Sequence, residues 1–300
     1  MRTRIYCPTC LTCVVSDDPS LKPSSLSSAG RDALRELIKN HYDTKISESS
    51  LDGITSRIYN NLDKVSTPPV TSMELMVSEM CNLHCDYCFE GVKSGRYMNP
   101  DTARHAADFL LTESQGSSHL AVLFFGGEPL LNFECIRETV LYLEERAGRS
   151  NQSIRWSVTT NGTVCDDVIA QFLLQHNFGV MLSIDGDPKT HNKHRYFERG
   201  HGSFEMIERN FQYFRDIPNL EIRVTVVPDV SRTVCNNVIY LIEKFHPSRL
   251  VIGPAWGIHW SHRAYKIYAE EMKRIITWFA DRRPEGVALS ILEDIQDAPG

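Results

Sequence analysis

Cys81-Asn82-Leu83-His84-Cys85-Asp86-Tyr87-Cys88-Phe89 is the stretch on which the reading of the fold turns. Its three thiols fall at i, i+4 and i+7, just behind the apolar run Met73-Glu74-Leu75-Met76-Val77. A strand ending in a tight loop would bring three sulfurs to one point. Thiolates are soft ligands that suit zinc, copper(I) or iron–sulfur clusters. A closed structural zinc site takes four ligands, usually as two C-x-x-C halves. A four-iron cubane takes one ligand per iron, so three local cysteines would leave one iron open to another ligand. The spacing by itself leaves zinc and cluster readings both open.

A second stretch narrows the choice. Leu120-Ala121-Val122-Leu123-Phe124-Phe125 runs straight into Gly126-Gly127-Glu128-Pro129. Glycines at a strand end let another molecule approach the backbone closely. With both stretches in view, the sequence resembles the radical S-adenosylmethionine (radical SAM) superfamily. That family carries a C-x3-C-x2-C loop after its first strand and a GGEP turn after its second. The family's third and fourth strand ends are matched in order by Thr159-Thr160-Asn161-Gly162 and Ser183-Ile184-Asp185-Gly186. The resemblance covers roughly residues 71 to 258.

The resemblance implies a fold, a chemistry and a set of roles. The fold is α/β, a partial (β/α)6 TIM-like barrel with a small N-terminal extension. The cofactors are a [4Fe–4S] cluster and S-adenosylmethionine. Cys81, Cys85 and Cys88 match the iron ligands. Tyr87 sits where relatives place an aromatic against the adenine, and Phe89 follows the loop as a shield for the cluster or a core aromatic. Gly126 and Gly127 match the turn that offers carbonyls to the methionine ammonium, with Glu128 fixing that turn. Thr160 and Asn161 point near the cofactor. Ser183 and Arg195 match a pair used for ribose hydroxyls and the methionine carboxylate, and a guanidinium suits a carboxylate well. The implied reaction is reductive cleavage of S-adenosylmethionine to a 5′-deoxyadenosyl radical that takes hydrogen from a substrate.

Phe124-Phe125-Gly126-Gly127-Glu128-Pro129-Leu130-Leu131-Asn132-Phe133 is similar to the peptide and protein maturases of that family, including anaerobic sulfatase-maturating enzymes. The implied substrate is a peptide or protein side chain, and the implied electron donor a flavodoxin- or ferredoxin-like reductase. A small molecule or nucleotide is the alternative substrate, and a fold kept as a binding module without turnover is a third reading. Relatives in this branch usually add a C-terminal module with auxiliary clusters. The sequence departs from them there: its last cysteine is Cys235, so residues 236–300 offer no thiolate.

Composition fits this picture. Three hundred residues suffice for one large α/β domain and a small appendage. A formal charge of −6 argues against a nucleic-acid partner, whose binding surface is normally basic. No apolar run approaches the roughly eighteen residues that cross a bilayer, and the start lacks a signal-peptide core. Nine cysteines without such a signal favour a reducing cytoplasm, where clustered cysteines mean metal or catalysis more often than disulfides.

Organisation along the chain divides it into an N-terminal extension (1–70), a core (71–258) and a C-terminal helical extension (259–300). The first segment opens with Cys7-Pro8-Thr9-Cys10-Leu11-Thr12-Cys13, which begins like a ferredoxin loop but has Asp17 at the fourth position. It reads as a flexible arm of reduced thiols, with metal binding or a grip on a substrate leader as alternatives. Two short helices are expected around 29–41 and 49–62. From 71 onward strand and helix alternate. Strands are expected at 72–78, 120–125, 154–159, 179–184, 220–227 and 249–252. Helices follow with caps at Asn99, Asn132, Asp166 and Ser203, then a fifth around 234–245 and a sixth around 261–281. A parallel sheet with right-handed crossovers results, and its site belongs at the carboxyl ends of the strands. Among isolated candidates, Cys135, Cys165 and Cys235 read as small buried hydrophobes. His191, His194 and His201 read as a solvated or substrate-facing loop, with a metal site as the alternative. Tyr213, Asp229, His259 and Trp260 are candidates for a substrate mouth.

Overall fold

The structure, a computed structural model, describes residues 3–7, 12–16, 47, 49, 52–53, 68–91 and 93–292. The chain divides into two compact units, Met1–Pro68 and Pro69–Gly300. In the first, β1 (Thr3–Cys7) and β2 (Thr12–Ser16) form an antiparallel pair with Cys7 opposite Thr12 and Tyr6 opposite Cys13. These paired segments are rich in the β-branched residues Thr3, Ile5, Val14 and Val15. Cys10, the side chains of Cys7 and Cys13, and nearly all of the helices expected at 29–41 and 49–62 lie outside the described residues.

The second unit alternates strand and helix. In order come β3 (Ser72–Ser78), α1 (Pro100–Glu113), β4 (His119–Gly126), α2 (Phe133–Arg149), β5 (Ser153–Thr160) and α3 (Asp167–Gln175). Then follow β6 (Gly179–Ser183), α4 (Pro188–His194), α5 (Phe204–Asn210), β7 (Leu220–Val226), α6 (Val234–Phe245), β8 (Arg249–Pro254), α7 (His262–Arg282) and β9 (Ala288–Leu289). Strands β3 to β9 pair in chain order as one seven-stranded sheet. Every pair is parallel, so the sheet is a barrel left open between β3 and β9. This is the partial barrel the sequence implied, with one strand more. The 259–300 segment, expected to be helical, contributes that seventh strand as well as α7.

Strand period decides which residues make the core and which make the site. Successive side chains point to opposite faces. On β4, Leu120, Val122 and Phe124 are buried, while Leu123 and Phe125 line a cleft. On β7, Leu220, Ile222, Val224 and Val226 are buried, while Glu221, Arg223 and Thr225 line the same cleft. The buried set packs with helix stripes such as Ile136, Val140 and Leu143 of α2 and Val238, Leu241 and Ile242 of α6. Phe124, Trp156 and Phe178 stack with centroids 6.0–6.1 Å apart.

Helix starts follow the sequence only where the side chain has no better partner. Asn99 accepts from Thr102 N at the start of α1, with Pro100 at the first position, and Asp166 accepts from Ile169 N at the start of α3. Asn132 and Ser203 occupy cap positions but make no cap bond. Asn132 instead donates to Val77 O and Met98 O, which ties β3 to the chain entering α1. Ser203 is taken by His191 and the Arg195 carbonyl. Glu271 of α7 reaches across to accept from Cys235 N in the first turn of α6, so α7 is docked by a polar bond as well as by Met272 and Ile275. Among the described residues, no helix is long and apolar enough to cross a membrane.

Candidate active site

All four sequence motifs lie at the carboxyl ends of adjacent strands, as a parallel sheet requires of its site. The cysteine loop follows β3. It is pinned on one side by Gly127 N to Ser78 O (2.7 Å) and Glu128 N to Met80 O (2.8 Å). On the other it is held by His84 N to Tyr196 O (2.7 Å) and by the bridge between Leu83 and Phe197. Leu83 is fully buried beneath the loop. A loop gripped from both flanks can hold three side chains in fixed directions.

Cys81, Cys85 and Cys88 all line the cleft. Burial pushes the Cys81 and Cys85 thiols up, so neither favours a bare thiolate. Metal coordination would displace the proton and share the charge. The Cys81 sulfur also accepts from Leu83 N at 3.4 Å and from Asn161 Nδ2 at 3.7 Å, donors of the kind that stabilise cluster thiolates. Among the described residues, no trio of His, Cys, Asp or Glu is arranged around a single ion. Three soft ligands facing one cleft suit a cluster, whose thiolates each bind a different iron.

The glycine turn has a further physical reason beside the one its sequence suggested. A side chain on Gly126, whose φ is +137°, would collide with Ser78 O. One on Gly127 would lie 2.5 Å from Met80 O and 3.0 Å from Cys81 Cβ. The glycines let this turn pack against the backbone of the cysteine loop itself. Both still line the cleft.

Glu128 is fully buried and joins three elements. Its Oε1 accepts from Leu130 N (3.0 Å) and Thr160 Oγ1 (2.8 Å), and its Oε2 from Asn161 N (2.7 Å). Burial outweighs these bonds and pushes its carboxyl up to about 7. Thr160 also accepts from Gly162 N, so its hydroxyl is used twice within the protein. Asn161 donates to Asn82 Oδ1 at 2.9 Å, and Asn82 donates to Thr163 Oγ1 at 2.8 Å. One polar chain therefore runs from the end of β4 through the end of β5 to the cysteine loop.

Across the cleft, Arg195 is buried against Asp185. Arg195 Nε donates to Asp185 Oδ2 at 2.8 Å and Nη2 to Oδ1 at 3.2 Å. Asp185 also accepts from the Tyr87 hydroxyl and from Thr225 N. Burial pushes the Asp185 carboxyl up, but the guanidinium beside it prevails and holds it below the usual range. Asp185 thus takes two of the Arg195 donors, and Arg195 still lines the cleft. Tyr87 has its ring 5.3 Å from the Arg195 guanidinium carbon and faces the cleft. Ser183 lines the cleft with its hydroxyl unbonded among the described residues.

Asp185, His191 and Ser203 complete this side and were not singled out as site residues by the sequence. His191 is not solvated: it is fully buried on α4 and accepts from Asp185 N at Nδ1. Its Nε2 then carries the proton and donates to Ser203 Oγ, 2.9 Å away, which donates to Arg195 O. Burial drives the ring down to about 3, so it stays neutral. The signal available was the spacing Asp185…His191…Arg195 around an Asp-Pro helix start. His194 bonds Asp86 and Asp229 on the surface, which joins the cysteine loop to the turn after β7. Of the mouth candidates, Tyr213, Asp229, His259 and Trp260 do not line the cleft, whereas Trp256, 81% exposed, does. Phe89 is 70% exposed and stacks on Phe125 at 6.2 Å, so it belongs to the cleft wall and not to the core.

Comparison with known proteins agrees with this geometry. The radical SAM superfamily model matches residues 75–233. A cysteine-type anaerobic sulfatase-maturating enzyme of Clostridium perfringens is 31% identical over 185 residues, 59% of this chain and 50% of that protein. The chain spans about half the length of the curated relatives it matches. Among solved structures, native anSMEcpe with bound AdoMet and Cp18Cys peptide superposes with TM-score 0.66 at 26% identity, over 76% of this chain and 65% of that one. Streptococcus suis SuiB bound to precursor peptide SuiA superposes with TM-score 0.57 at 14% identity over 95% and 68%, a likeness of fold. With the cysteine loop, the glycine turn and the two following strand ends set around one cleft, and the family match spanning all four, the chain belongs to the radical SAM superfamily.

Proposed function

We propose that this chain uses a [4Fe–4S] cluster and S-adenosylmethionine to remove a hydrogen atom from a peptide or protein side chain. When bound, these cofactors supply a carbon radical strong enough to attack an unactivated C–H bond. Cys81, Cys85 and Cys88 would hold the cluster and leave one iron for the cofactor's amino and carboxylate groups. Gly126 and Gly127 would present backbone oxygen to the ammonium. Glu128, Thr160 and Asn161 act one step back: their mutual bonds keep the turn and the loop in register. Ser183, with a free hydroxyl, and Arg195, oriented by Asp185, would take the ribose hydroxyls and the methionine carboxylate, and Tyr87 would flank the adenine.

The observation that carries the peptide reading is the reach and lining of the cleft. Its volume is about 1270 Å³, part of which the cluster and S-adenosylmethionine would fill. It continues past the motifs along β7 and β8, where Glu221, Arg223, Thr225 and Trp256 line it. A relative at 26% identity is described with a bound peptide. A one-electron donor, a flavodoxin- or ferredoxin-like protein, and a reducing cytoplasm complete the proposal. The test is 5′-deoxyadenosine release by the anaerobically reconstituted, reduced protein, with and without candidate peptides. Peptide-dependent stimulation supports the reading. Stimulation by nucleotides or small metabolites alone contradicts it.

A further inference from the structure

The cleft holds a charge that the protein leaves unanswered. Arg195 is matched by Asp185, Arg249 pairs with Glu221 at 3.2 Å, and Lys93 donates to Leu83 O; Arg155, near the start of β5, also lines the cleft without an ion pair among the described residues, but on a strand whose end carries a cofactor motif. The guanidinium of Arg223, half-buried in the middle of β7, makes no hydrogen bond or ion pair among the described residues. A guanidinium partly removed from water is costly without a partner, and the planar fork is built to take a carboxylate through two parallel bonds.

Its direction tells which ligand it faces. Arg223 is in register with Ser183 on one side and Val251 on the other. The side chain leans away from Ser183 toward β8: a Cβ on Gly253 would lie 3.0 Å from Arg223 Nη2. Glycine at that position leaves the guanidinium its room. The cofactor motifs end β3 to β6, so the β7–β8 side of the cleft is the part left for substrate.

Resting on the peptide reading above, we propose that Arg223 is the substrate-carboxylate anchor of the cleft. It takes an acidic side chain or the terminal carboxylate of the peptide and so selects which peptides enter. Arg223 acts by binding and orienting, and takes no part in bond breaking.

The experiment is affinity selection of short randomised peptides, as free acids and as C-terminal amides, on holoprotein loaded with S-adenosylmethionine. Wild type, Arg223→Gln and Arg223→Glu are compared after iron content and melting temperature are shown to match. Wild type should enrich Asp or Glu at one position, or free acids over amides, and these two arms separate the two sources of carboxylate. Arg223→Gln should bind the selected peptides on the order of tenfold more weakly or worse. Arg223→Glu should enrich Lys or Arg instead. Peptides selected by wild type without acidic preference, or a preference unchanged in Arg223→Gln, overturn the proposal. So does a tenfold loss of S-adenosylmethionine affinity in Arg223→Gln with peptide selection intact, which would assign the guanidinium to the cofactor. Selection of no peptide at all overturns the peptide reading and this proposal with it.

Discussion

Asp185 grips Arg195 through both carboxylate oxygens, and both side chains are buried. The pair fixes β6 to the segment after α4 and, through Tyr87, to the cysteine loop. Removing one member of a buried pair strands the other charge. Asp185→Asn should therefore cost about 3–5 kcal/mol in urea unfolding of the holoprotein. A cost below about 1 kcal/mol, the value of an exposed pair, would contradict the buried geometry.

Glu128 makes stability depend on pH in an unusual direction. Its folded carboxyl, at about 7, lies above the ordinary 4.5. The folded state binds the extra proton between those values, so this contribution is full below 4.5 and is lost as pH rises through 7. The loss amounts to roughly 3 kcal/mol. Glu128→Gln keeps the size and an acceptor oxygen but cannot ionise. Its melting temperature should decline less than that of wild type between pH 5 and pH 8. Parallel curves would show that Glu128 is ionised throughout.

His191 works the other way. Its ring is held at about 3 against an ordinary 6.5, so the unfolded chain takes up a proton that the folded one refuses. Stability is present above 6.5 and is lost as pH falls toward 3, by roughly 2 kcal/mol at pH 5. His191→Gln should start from a lower melting temperature at pH 7.5 and lose less on acidification. A wild-type acid slope retained in the variant would rule His191 out as its source.

Gly127 bears on cluster assembly. Alanine there would press on Met80 O and Cys81 Cβ, backbone and ligand root respectively, neither of which can yield as a surface side chain would. Gly127→Ala should incorporate less iron than wild type under identical anaerobic reconstitution while retaining its far-ultraviolet circular dichroism. Equal iron would mean that the turn can move away from the loop.

The legible and illegible parts of this chain differ for physical reasons. Strands such as Leu220–Val226 show in the sequence because apolar and polar residues alternate, one set facing the core and the other the cleft. The two-residue strand Ala288–Leu289 is too short to carry any period. Helix α4, Pro-Lys-Thr-His-Asn-Lys-His, has no apolar stripe and is held by polar bonds such as Asp187 to Thr190 N. The cysteine loop shows in the spacing, but it reads as a cluster loop only beside the glycine turn and the two later strand ends. Asp185 and His191 do not show, because a buried polar residue looks in sequence like an exposed one. The glycines announce a crowded backbone, but only the coordinates show that the crowding comes from the cysteine loop.

The central claim is that Cys81, Cys85 and Cys88 hold one cluster with an open iron. Anaerobically reconstituted wild type and the Cys81→Ala/Cys85→Ala/Cys88→Ala variant should be compared for iron, sulfide, zinc and visible absorption. The account predicts a brown wild type that loses about four irons in the variant. A colourless wild type holding zinc in that loop, or a variant that keeps those irons, would contradict it.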